Sequence, residues 1–106
     1  MTPAELFRHY LLAGEPLLLE LPTLADAEYM LQLLRTCKYR SSKQLADLGM
    51  QDADPLAGTA LHYEVLARSE LSLQARFFAA PRIRSSSKLQ YTILPPKELT
   101  DAKSTQ

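Results

Sequence analysis

The side chains best suited to chemistry in this sequence are few and far apart. His9 and His62 are its two histidines, and Cys37 is its only cysteine. Neither histidine stands in a serine, cysteine or carboxylate arrangement typical of a nucleophile and its base. The sequence also has no glycine-rich phosphate loop, no H-E-x-x-H motif and no C-x-x-C motif. We therefore expect a protein that is not an enzyme.

Metal and cofactor chemistry has equally little support. Asp52 and Asp54 stand in a predicted loop over 50–58, but their surroundings do not match the calcium-binding pattern of an EF-hand. A single cysteine excludes an internal disulfide and a cysteine metal cage. Cys37 also lies on the apolar stripe of a predicted helix, where a small buried side chain is commoner than a nucleophile. We expect no metal and no cofactor.

The charges alternate in blocks although the whole chain has a net charge of zero. Residues 1–34 carry −4, residues 35–46 carry +4, residues 47–70 carry −4 and residues 71–97 carry +5. Blocks of one sign are places where a partner of the opposite sign can dock. The simpler interpretation, in which basic and acidic blocks face one another within the fold, stays open at this point.

The stretch from Leu61 to Ala79 is the strongest structural signal. Its odd positions are mainly apolar and its even positions mainly polar, a period of two that predicts strands buried on one face. One strand of this length would be longer than the domain, so we expect two antiparallel strands over 60–67 and 71–80. An odd-length turn over 68–70, which pairs Ala67 with Leu71, keeps every apolar residue on the same face.

The elements before these strands follow from capping and breaking signals. Thr2, a following proline and Glu5 predict a helix over about 3–13, ended by Gly14. The leucine-rich run 17–21 predicts a strand covered on both faces. Thr23 and Asp26 begin the best helix of the sequence, and a separate short helix is expected from Ser41 to Gly49.

Together these elements predict an α+β fold with two layers. Two or three helices pack on one face of a mostly antiparallel four-stranded sheet, in the order α-β-α-α-β-β-β, with residues 89–94 as the last strand. The predicted inner face carries nine residues, which meet Met30, Leu31 and Leu34 of the main helix. These nine are Leu61, Tyr63, Val65, Leu71, Leu73, Phe77, Leu89, Tyr91 and Ile93.

Residues 1–96 are expected to form a single domain and 97–106 a polar, flexible tail. No apolar run is long enough for a membrane span, and no signal peptide is visible at the N-terminus. With one cysteine, these features favour a cytoplasmic protein that has no membrane partner.

The outer sheet face gives the first functional hypothesis. It presents apolar side chains among polar ones, and soluble monomers seldom expose a contiguous apolar patch. We expect a small accessory protein that binds a partner protein or a second copy of itself through this face. The predicted interface residues are Leu66, Arg68, Gln74, Arg76, Phe78 and Leu94.

Nucleic-acid binding is the alternative hypothesis. Cations would contact phosphates while an aromatic side chain stacks on a base, although a net charge of zero counts against a dedicated binder. The candidates fall in two clusters, Arg35 to Lys43 and Arg76 to Lys88. They are Arg35, Lys38, Tyr39, Arg40, Lys43, Arg82, Arg84 and Lys88. A third possibility is that the N-terminal helix covers the outer face and makes the patch ordinary core.

Overall fold

The computed structural model describes residues 1–82 of the chain and has the predicted α+β class. Two longer helical segments, a short 3₁₀ helix over Gln51–Ala53 and a three-stranded antiparallel sheet make up this part of the chain. The predicted strand over 89–94 and the predicted tail over 97–106 lie outside the described residues. Within residues 1–82, no helix is both long enough and apolar enough to cross a membrane.

The first helical segment begins where the capping pattern predicted. Helix α1 spans Pro3–Leu6 and continues as a π-helical turn over Phe7–Leu11. The Thr2 hydroxyl accepts from the Glu5 backbone N–H, and the Glu5 carboxylate accepts from the Thr2 backbone N–H. The Thr2 N–H and the Thr2 hydroxyl both donate to the Glu5 carboxylate and hold the pKa of this carboxyl below its usual value. The segment ends at Gly14, whose φ of +86° is a left-handed conformation.

Strand β1 spans Leu17–Leu21, as predicted, but it is covered on one face only. Leu17 is buried, whereas Leu18 and Glu20 are exposed. The predicted burial of both faces is therefore wrong. The reason is that β1 lies at an edge of the sheet, with helices packed on one side of it.

Helix α2 spans Leu24–Asp47 without a break. Its N-terminus has the predicted capping box between Thr23 and Asp26. The separate helix expected from Ser41 is wrong, because no glycine or proline interrupts the chain there and a capping pattern can also lie inside a helix. The helix ends just before Gly49, whose φ is +71°.

Strands β2 (Thr59–Arg68) and β3 (Leu73–Pro81) form an antiparallel hairpin, and β3 lies in the centre of the order β1-β3-β2. Tyr63 stands opposite Phe77, so odd positions pair with odd positions as predicted. The predicted pairing of Ala67 with Leu71 is wrong. A β-bulge between Val65 and Ala67 shifts the register, and Ala67 stands opposite Gln74.

The turn of this hairpin is also longer than predicted. Residues 69–72 connect the strands, and the Ser69 N–H donates to the Ser72 carbonyl at 2.8 Å. The bulge adds one residue to β2. Odd positions therefore stand opposite odd positions before the bulge, although the turn has an even number of residues. Leu71 consequently lies in the turn, 87% exposed, and not in the core.

The core lies between the helices and the odd face of the sheet. Phe7 and Leu11 from the N-terminal segment, and Leu31 and Leu34 from α2, pack in one cluster with Phe77 of β3. Tyr63 joins α2 to β2 by donating its hydroxyl to Glu28 at 3.4 Å. Partial burial, reinforced by the Glu28 carboxylate, raises the pKa of the Tyr63 hydroxyl. Leu89, Tyr91 and Ile93, also predicted for this face, lie outside the described residues.

Candidate functional site

The open face of the sheet is the first candidate site. Residues that stand opposite one another on neighbouring strands share a face, so the register defines this surface in rows. One row runs Leu18, Arg76 and Glu64 across the three strands, and Phe78 stands opposite His62 in the next. We call this surface the outer face. Both helical segments that the structure describes pack on the other side of the sheet.

Two leucines make the outer face more apolar than a solvated face needs to be. Leu18 is 63% exposed and Leu66 is 51% exposed. Phe78 and Ala80 add half-buried apolar surface from the central strand. The N-terminal segment does not cover this patch, because Phe7 and Leu11 belong to the core on the opposite side. The third hypothesis, in which that segment buries the face, is therefore wrong.

Arg76 is the polar centre of the outer face. Its Nε donates to Oε1 of Glu64 at 2.7 Å, and its guanidinium lies 4.5 Å from the centroid of the Phe78 ring. The His62 ring lies on the other strand, with its centroid 5.9 Å from that of Phe78. These contacts hold an arginine and an aromatic ring in place on a surface, the two residue types most enriched at the centres of protein interfaces.

The six predicted interface residues do not all lie on the outer face. Gln74, Arg76 and Phe78 lie on the outer face, and Leu66 is the unpaired residue at the bulge. Arg68 does not share this face, since the bulge sets it opposite Leu73, whose side chain is part of the core. Its predicted placement is therefore wrong. Leu94 lies outside the described residues.

Leu18 is the interface candidate that the sequence analysis missed. The leucine-rich run around it suggested a strand buried on both faces. Glu20 was the available signal, because residues two apart on a strand share a face and a carboxylate is rarely buried without a partner. In the structure the Glu20 carboxylate accepts from the Ser72 hydroxyl at 2.8 Å, next to solvent.

A second candidate site lies at the free edge of β2. A cavity of about 420 Å³ opens between α2 and this edge, lined by basic, aromatic and small residues. We call it the edge cavity. Its lining residues are Arg35, Lys38, Tyr39, Ser42, Ala60, Leu61 and Arg82. It thus brings together four of the predicted nucleic-acid candidates, from positions far apart in the sequence.

The other predicted nucleic-acid candidates are not among the residues that line the edge cavity. Arg40 and Lys43 are exposed residues of α2, and Lys43 makes a 4.0 Å ion pair with Asp47. Arg84 and Lys88 lie outside the described residues. The interpretation that basic and acidic blocks neutralise one another therefore holds for Lys43 and for Arg76, but Arg35 and Arg82 bind backbone carbonyls instead.

The residues considered for catalysis are scattered in the structure. His9 and His62 are exposed on different elements, and Cys37 packs half-buried against the core. Asp54 accepts hydrogen bonds from the Ser42 hydroxyl at 2.7 Å and the Leu56 N–H at 3.0 Å. Among residues 1–82, no group of three or more histidine, cysteine, aspartate or glutamate side chains is arranged to hold a metal ion.

Comparison of the chain with protein-family models, with curated proteins and with solved structures finds no match. The class of the protein therefore follows from its fold and from the two candidate sites. Over the described residues it is a small α+β protein with one sheet face covered by helices and the other face open.

Proposed function

We propose that this chain is a non-enzymatic accessory protein that acts by binding another protein chain through its outer face. The observation that carries the proposal is the exposure of Leu18 on a sheet face that the described helices leave open, with Leu66 exposed at the bulge of β2. Burying that apolar surface against a partner is favourable, by about 25 cal/mol for each Å² removed from water.

The geometry of Arg76 and Phe78 supports an interface of ordinary composition. Protein interfaces have an apolar and aromatic centre with polar groups around it. Here the ring of Phe78 and the guanidinium of Arg76 lie in contact, with Glu64 and Gln74 beside them. The partner is either a second copy of this chain or a different protein, and the outer face serves in both cases.

A cytoplasmic location is part of the same proposal. Cys37 is the only cysteine in the sequence, which suits a reducing compartment. Binding to a membrane and binding of a cofactor play no part in the proposed function.

Replacement of Leu18 by aspartate tests the proposal. A charge at the centre of an apolar contact prevents association without disturbing the core, because Leu18 is already exposed. The matched control is Leu71→Asp, the same change at an exposed leucine in the turn between β2 and β3. The mass of the full chain is measured at rising concentration, and each variant is also used to recover partners from lysate.

The proposal predicts association, with itself or with a defined protein, for wild type and Leu71→Asp but not for Leu18→Asp. A wild-type chain that stays monomeric at every concentration, and that recovers the same proteins as Leu18→Asp, would count against an interface on this face.

Nucleic-acid binding remains the alternative, and one observation favours it. Arg35, Lys38, Tyr39 and Arg82 line a single cavity. The alternative predicts binding to oligonucleotides that weakens steeply as salt rises, and its absence at about 50 mM salt would exclude it.

A further inference from the structure

The edge cavity differs from comparable cavities in its charge. Two others of about 440 and 410 Å³ are each lined by one arginine and one glutamate, Arg76 with Glu15 and Arg35 with Glu28. Among the described residues, the edge cavity is lined by two arginines and a lysine and by no acid. A small-molecule site commonly has a volume of about 300–1,000 Å³, so all three cavities are large enough. Of these three, only the edge cavity has a lining whose charge suits an anion.

Arg35 and Arg82 are held in place by the backbone of β2. A nitrogen of the Arg35 guanidinium donates to the Leu61 carbonyl at 3.2 Å, and one of Arg82 donates to the Thr59 carbonyl at 3.3 Å. The Arg82 backbone N–H donates to the Gly58 carbonyl. Hydrogen-bonded and non-hydrogen-bonded residue pairs alternate along two antiparallel strands. The carbonyls of Thr59 and Leu61, one and three residues after Gly58, therefore point away from β3. Both arginines are thus anchored at the free edge of strand β2.

The anchoring leaves donors free at one edge of the sheet. A guanidinium has five N–H donors, and each arginine uses one nitrogen on a backbone carbonyl. The two carbonyls are two residues apart on one strand, which is about 7 Å at ~3.3 Å per residue. A phosphate that reaches both guanidinium groups accepts charge-assisted hydrogen bonds from each, and these are the strong ones.

Lys38 and Tyr39 complete the cavity from α2. Lys38 lies one turn after Arg35 and adds a third cation. Tyr39 is 68% exposed, which leaves its ring accessible for stacking. The Ser42 hydroxyl is already used as a donor to Asp54, so it is not counted among the donors for a ligand. The cavity therefore offers cations for a phosphate and an aromatic ring beside them.

We propose that the edge cavity binds a nucleotide phosphate, with the phosphate between Arg35 and Arg82 and the base on the ring of Tyr39. The ligand is either a free mononucleotide or one nucleotide of a single strand, since both present a phosphate ester beside an aromatic base. None of the described residues proposed for the protein interface lines the edge cavity, so different variants test the two sites.

The test is a binding measurement on the full chain at about 50 mM salt. The probes are adenosine monophosphate, an eight-nucleotide single-stranded DNA and a phosphoserine peptide. The variants are Arg35→Ala and Tyr39→Ala, and the matched control is Arg40→Ala, which removes an exposed arginine from the same helix but not from the cavity. Thermal unfolding of each variant shows whether it is folded.

The proposal predicts that wild type and Arg40→Ala bind a nucleotide probe equally well. Arg35→Ala weakens binding about tenfold or more, and Tyr39→Ala weakens it about fivefold or more, since each loses a strong contact. Binding of the mononucleotide identifies a small-molecule site, whereas binding of the oligonucleotide alone identifies a single strand. If Arg35→Ala does not fold, Lys38→Ala replaces it, with Lys43→Ala as its control.

Three results would overturn the proposal. The first is no binding of either nucleotide probe by wild type, including the case in which only the phosphoserine peptide binds. The second is an equal loss of binding in Arg35→Ala and Arg40→Ala, which would indicate diffuse charge and no defined site. The third is full binding by Tyr39→Ala, which would remove the base from the assignment.

Discussion

Phe77 and Phe78 are adjacent residues of the same type, but their side chains lie on opposite faces of the sheet. Phe77 is fully buried between β1 and β2, with its ring 5.8 Å from that of Tyr63. Phe78 is half-buried on the outer face, under the guanidinium of Arg76. The alternation of a strand is enough to separate their roles, one in the core and one at the candidate interface.

This difference predicts unequal effects of the same mutation. Phe77→Ala removes a fully buried ring and is expected to lower the free energy of unfolding by about 3–5 kcal/mol. Phe78→Ala removes a partly exposed ring and is expected to lower the free energy of unfolding by less than half as much. Phe78→Asp is expected to fold, whereas Phe77→Asp is not. Urea unfolding followed by circular dichroism measures all four.

Comparable losses for the two alanine variants would mean that Phe78 is also core, and that the outer face is covered in the full chain. That result would remove the physical basis of the proposed interface. A small loss for Phe77→Ala would contradict the assignment of the inner face.

At the residue scale, every described residue predicted for the inner face except Leu71 lies in or against the core. Leu61, Leu73 and Phe77 are buried as expected, because strict alternation is a strong signal. Leu18 was missed because its neighbours 17, 19 and 21 are leucines too. The convergence of Arg82 with Arg35 could not be predicted, since it depends on how β3 ends beside β2.

Helix α2 is the element that organises the inner layer. It is 24 residues long, its apolar stripe faces the sheet, and Tyr63 and Leu61 of β2 are hydrogen-bonded to it through Glu28 and Arg35. Its start is fixed by the capping box at Thr23, where hydroxyl and carboxylate each satisfy a backbone N–H that the helix itself leaves without a partner.

The cap predicts a measurable contribution to stability. Thr23→Ala is expected to lower the free energy of unfolding by about 1 kcal/mol, because the Asp26 N–H loses its acceptor. Thr36→Ala is the control within the same helix. Its hydroxyl donates to the Gln32 carbonyl, which already has a backbone partner in a helix, and alanine is the better helix former. Denaturant unfolding compares the two.

The expected order is a clear loss for Thr23→Ala and little change or a small gain for Thr36→Ala. Equal losses would contradict a specific contribution of the cap, since both threonines are exposed and only Thr23 caps the helix.

At the element scale, the caps and the period of two predicted the strands and helix starts, but not the bulge or the turn. Leu66 is an apolar residue at an even, mainly polar position, but no glycine marks it as the site of a bulge. A bulge of this kind depends on how the two strands pair along their whole length, which local sequence does not determine. The continuity of α2 past Ser41 was missed because the S-x-x-Q pattern also occurs inside helices.

For the whole molecule, the arrangement of the layers separates two candidate sites. The inner layer of helices leaves the outer face open over the described residues and forms the edge cavity where α2 passes β2. The outer face has exposed apolar side chains around a central pair of Arg76 and Glu64, whereas the edge cavity is basic. A single small fold thus presents two surfaces of different chemistry.

The alternating charge blocks of the sequence have a specific structural meaning. The block over 35–46 lies on the second half of α2, where Arg35 and Lys38 line the edge cavity and Lys43 pairs with Asp47 of the next block. Neutralisation within the fold is thus partial, and three of the remaining cations, Arg35, Lys38 and Arg82, line one cavity. Composition alone, with its net charge of zero, gives no indication of this.

Site-specific photo-crosslinking in cells tests the central claim most directly. A photoreactive amino acid replaces Leu18 on the outer face in one experiment and Leu71 in the turn in the other, since both positions are exposed. The proposed interface predicts a discrete protein adduct from position 18 and none from position 71, and its mass distinguishes a second copy from a different partner. No adduct from position 18, or the same adducts from both positions, would contradict it.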